Sequence, residues 1–73
     1  MNVTISFSCN IMGPTTMSTI LSPLSPFLHD KRWVRTKGEE FILQFSYNNV
    51  PPDLATEMSR KVERNNGIIK TIK

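Results

Sequence analysis

Cysteine is almost missing from this 73-residue chain, and the single Cys9 has no partner for an internal disulfide. Histidine is as scarce: His29 and Cys9, far apart in sequence, supply too few soft donors for a structural zinc site. No window approaches the run of about 18 apolar residues that a membrane-spanning helix needs. The N-terminus lacks the positive n-region of a secretory signal and the Arg of a transit peptide, so the Asn2-Val3-Thr4 sequon reads as chance. A Gly-rich phosphate loop and a nucleophile elbow are absent, as are paired carboxylates apart from the adjacent Glu39-Glu40. His29 beside Asp30 makes no dyad, because neighbours on an extended chain point to opposite sides. These absences lead to the expectation of a binding or structural protein of a reducing compartment, with no enzymatic activity, no cofactor, no small-molecule substrate and no membrane partner.

Formal charge is missing too, but only from one part of the chain. The 9 Lys and Arg and 6 Asp and Glu, net +3, all lie between Asp30 and Lys73, and the first 29 residues carry none of them. Length allows one small domain spanning residues 1–73. A core of that size, without staples, leaves roughly 3 to 5 kcal/mol of net stability, which points to ordering within a larger assembly.

What is present reads in order. Val3, Ile5, Phe7, Cys9 and Ile11 alternate with polar residues, the period of a strand that buries one face; Cys9 falls on the buried side as an inert core thiol. Gly13-Pro14 ends it. Met17, Ile20, Leu21 and Leu24 have the spacing of about two helical turns after a Thr15 cap, stopped by Pro23 and Pro26. This Pro-broken connector is expected to lie against a neighbouring protein. Phe41, Leu43, Phe45 and Tyr47 alternate with Ile42, Gln44 and Ser46, a central strand with an aromatic face entered through Glu39-Glu40, and Asn48-Asn49 turns the chain. Pro51-Pro52-Asp53 opens a helix whose buried stripe is Leu54, Met58 and Val62 with Ala55 beside it. Asn65-Asn66-Gly67 ends that helix with left-handed conformers, and residues 68–73 read as a closing strand.

Residues 27–38 are the most pointed segment, in a place where a loop between strands is expected. Lys31, Arg32, Arg35 and Lys37 surround Trp33 with no acid among them. Cations of this density neutralise phosphates and an indole stacks on an unpaired base. A solvated hairpin whose Trp33 covers the edge of a small core accounts for the same residues, and both readings stand.

The elements in order give an α+β fold close to the ferredoxin-like (split βαβ) plan: an antiparallel sheet with one principal helix and an abbreviated first helix. Leu24-Ser25-Pro26-Phe27, the basic run Arg32-Trp33-Val34-Arg35-Thr36-Lys37-Gly38, the strand Phe41-Ile42-Leu43-Gln44-Phe45, the Pro51-Pro52 helix start and Ile68-Ile69-Lys70 follow one another in the order seen in the sixth small-subunit ribosomal protein family of bacteria and organelles. The chain resembles that family over about 50 residues, Leu24 to Lys73. The family has a full first helix and a second strand before its basic hairpin; here the 23 residues before Leu24 have room for one strand and a stub. The resemblance implies a structural protein of the small subunit, in a mitochondrial or other organellar ribosome, touching small-subunit rRNA and neighbouring small-subunit proteins, the eighteenth among them. By position it places Lys31, Arg32, Trp33, Arg35 and Lys37 against RNA, with Lys70 and Lys73 adding phosphate contacts that position more than they read sequence. Val50-Pro51-Pro52-Asp53 and Asn66-Gly67-Ile68-Ile69-Lys70 also resemble the small phycobilisome linker domain, in which cations would meet acidic protein surfaces. A small phage-type inhibitor of a host protein is a third class.

Overall fold

The computed structural model describes residues 1–8, 13–35, 38 and 41–72. Alternation in the first segment produces strand β1 (Asn2–Ser8), with Val3, Ile5 and Phe7 buried and Thr4, Ser6 and Ser8 on the opposite face. Cys9 and the rest of the expected strand to Ile11 lie outside the described residues. Helix α1 (Pro14–Ile20) follows, then a 3-10 turn over Ser22–Phe27 that includes Pro23 and Pro26. The helix start differs from expectation: Gly13 is the N-cap and Pro14 the first helical residue, with no side-chain cap and no role for Thr15.

Strand β2 (Leu28–Arg35) replaces the loop expected over these residues, and runs antiparallel to β3 (Phe41–Tyr47) in a hairpin with an irregularity between Leu28 and Asp30. Helix α2 (Pro52–Arg64) and strand β4 (Ile68–Ile72) complete the chain. The four strands form one antiparallel sheet in the order β2-β3-β1-β4, so both connections that contain a helix skip over a neighbouring strand. The fold is therefore α+β with a four-stranded antiparallel sheet.

One face of this sheet holds the core. Val3, Ile5, Phe7, Leu43, Phe45 and Tyr47 meet Ala55, Met58 and Val62 of α2, together with Met17, Leu21 and Leu24 from the connector. Met17 and Leu24 are completely shielded within the single chain. The connector therefore packs Met17, Leu21 and Leu24 into its own domain's core, and it is through exposed residues such as Pro23 and Pro26 that it would lie against a neighbouring protein. The reason is the short α1: its Met17 and the 3-10 turn's Leu24 supply the apolar cover that a longer first helix would otherwise bring.

Among the described residues, no helix packs on the opposite face. Its rows read Asp30, Ser46, Thr4, Lys70 and Arg32, Gln44, Ser6, Ile68 across the four strands. Helix α2 ends in a Schellman arrangement: the Gly67 N–H donates to the Val62 carbonyl at 2.8 Å and the Asn66 N–H to the Glu63 carbonyl at 3.1 Å. Asn66 supplies the left-handed residue, at φ 61°.

Candidate nucleic-acid interface

The basic residues divide by strand geometry. Lys31, Trp33 and Arg35 stand opposite Phe45, Leu43 and Phe41, and so project on the helix-bearing side of the sheet. Arg32 stands opposite Gln44 and projects on the bare side with Asp30 and Val34. Lys70 also belongs to the bare side, in the row of Thr4, Ser46 and Asp30. With strands spaced by about 4.8 Å, three spacings put it roughly 14 Å from β2. The fold thus brings Lys31, Trp33 and Arg35 together and leaves Lys70 on the far edge. Lys37 and Lys73, expected in the same site, lie outside the described residues.

Trp33 is on the core side of the sheet yet 56% exposed, and Phe41 is 50% exposed. Among the described residues, no helix covers this end of the hairpin, and Trp33 and Phe41 leave much of the inner side of its distal half exposed. The Arg35 guanidinium lies 5.7 Å from the centre of the Phe41 ring, and the Lys31 amine 5.9 Å from that of the buried Phe45, close enough for cation–π attraction. The result is a surface of alternating cation and aromatic ring. The sequence pattern places Phe41 on one aromatic face with Phe45 and Tyr47; its place as first residue of β3, at the distal end of the hairpin, is the signal that separates it from them.

Arg32 is committed differently. Its Nε donates to Asp30 Oδ2 at 2.8 Å, and Nη2 reaches the same oxygen. These hydrogen bonds hold the Asp30 carboxyl below its usual range and place a carboxylate beside the cation, which weakens the attraction of Arg32 for a phosphate. Nearer the helices, Tyr47 is buried, and burial pushes its hydroxyl above the ordinary tyrosine range, so that it stays protonated.

A half-open cavity of about 80 Å3 opens between the 3-10 turn and the start of β2. Phe45 and Tyr47, stacked at 6.4 Å between centroids, line it with Leu21 and Leu28, while Ser18, Ser25 and Lys31 supply polar groups. Nothing in the sequence pattern announced it, because it forms only when the connector folds over the hairpin. Among the described residues, no group of three or more His, Cys, Asp or Glu side chains could hold a metal ion, and no helix is long and apolar enough to span a membrane. Comparison of the chain with protein-family models, curated proteins and solved structures gives no match.

Proposed function

We propose that this chain is a non-catalytic, RNA-binding structural component of a small ribosomal subunit of organellar type, built on the ferredoxin-like plan. The observation that carries the reading is the open distal half of the β2–β3 hairpin, where an indole more than half exposed stands between Lys31 and Arg35 on one face of a strand. Cations set at this spacing draw in phosphates and release their counterions, while the Trp33 face accepts an unstacked base. Strand order β2-β3-β1-β4 supports the ferredoxin-like assignment, since β3 lies between the two strands joined through α1. Strand β2 also supplies the second strand that the ribosomal family has and that seemed to lack room here, by drawing the basic residues themselves into the sheet.

Sedimentation of native lysate through a sucrose gradient tests this reading. The chain is expected to travel with the small ribosomal subunit and to leave it as salt is raised. Migration at the size of a free small protein, or with a coloured bilin-bearing complex, would contradict it.

A further inference from the structure

We propose that the cavity beside Lys31 is a docking site for an extended acidic segment of a partner protein, one aliphatic side chain entering the cavity and a carboxylate two residues along, on the same face of the segment, meeting the Lys31 amine. The proposal does not rest on the RNA reading: the two share Lys31, but that reading is carried by Trp33 and Arg35 farther along the hairpin.

Size selects the occupant first. A cavity of about 80 Å3, roughly half the ~150 Å3 that encloses benzene, matches one branched aliphatic side chain better than a flat nucleobase or an indole. Its apolar lining, Leu21, Leu28, Phe45 and Tyr47, offers such a group contacts on several sides. Charge selects next. Lys31 projects on this face of β2, whereas Asp30 stands on the other face and is engaged with Arg32. A carboxylate on the same face as the aliphatic anchor therefore meets Lys31 without a competing acid from β2. Backbone completes the match: β2 is the end strand of the sheet, so among the described residues its outer edge carries no strand, and an extended segment can pair along it while alternate side chains face the cavity. Leu28, 45% exposed at the mouth, is apolar surface that such a segment would cover.

The test is an NMR titration of the full chain with acetylated, amidated heptapeptides that carry Val, Leu or Trp at position 4, Glu at positions 2 and 6 and Thr elsewhere, with Lys-for-Glu counterparts and a uridine oligonucleotide as controls. The Glu peptides with Val or Leu are expected to shift the signals of Leu21, Leu28 and Tyr47, and to bind about tenfold more tightly than the Trp peptide, which the cavity cannot admit. Lys31→Glu, a change at an exposed position whose folded state is read from the same spectra, should weaken them about tenfold through like-charge repulsion. The proposal is overturned if no Glu peptide shifts these signals, if the Lys counterparts bind equally well, or if the oligonucleotide shifts them instead and so assigns the cavity to RNA.

Discussion

A Cβ built on Gly67 would lie 2.5 Å from Phe7 Cε1 and 2.7 Å from Val62 Cγ1. Its backbone does not require glycine, since the left-handed φ belongs to Asn66. Gly67 is there because β1 and α2 close on each other at the point where the chain leaves the helix. Both neighbours belong to the core, so neither can give way cheaply. Gly67→Ala is expected to destabilise the fold by about 1 to 3 kcal/mol, read as a lower urea midpoint at unchanged slope. The sequence Asn65-Asn66-Gly67 announced a helix stop, but which residue would turn left-handed and which would make room was decided by Phe7, some sixty positions away. Trp33 has the same character. Composition left it open between core cover and exposed ring, and only the reach of the helices puts it in solvent.

Strand β2 was the element least legible in sequence. A strand that buries one face declares itself by alternation, as Val3, Ile5 and Phe7 do; β2 is exposed on its outer end on both faces, so charged residues fill positions that would otherwise be apolar and the period of two disappears. Helix α2 was legible for the opposite reason, with Ala55, Met58 and Val62 buried and the Pro pair at its start. The connector lies between these cases. Its helical spacing could be read, but its destination could not, because Pro23 and Pro26 signal a break without saying whether the broken piece folds inward. Leu24→Ala is therefore expected to cost about 2 to 5 kcal/mol in thermal or urea unfolding of the isolated chain, the penalty of a buried large-to-small change, whereas Ser22→Ala at an exposed position of the same turn should change little. Equal and small effects would mean that the connector does not belong to this core.

For the whole molecule, the uneven charge follows from the architecture. The uncharged N-terminal part supplies β1 in the middle of the sheet and the apolar cover of its inner face, positions where ionised groups would be costly. Among the described residues, the cations are then left to the edge strands and the outer side of α2. The radius of gyration, 11.5 Å, is close to the roughly 11 Å expected for a folded chain of this length, but the longest dimension is 34 Å against 19 and 17 Å, so the molecule is elongated. In the proposed function, the exposed half of the β2–β3 hairpin meets RNA through one ring and neighbouring charges. The most direct test is the affinity of the chain for a single-stranded small-subunit rRNA fragment, measured across a series of salt concentrations with Trp33→Ala and Arg35→Ala. Loss of stacking should weaken binding by about 1 to 3 kcal/mol at every salt concentration without altering the slope, whereas loss of a phosphate contact should reduce the slope by about 0.7. Affinity and slope unchanged in both variants would contradict the account and remove the hairpin from the RNA site.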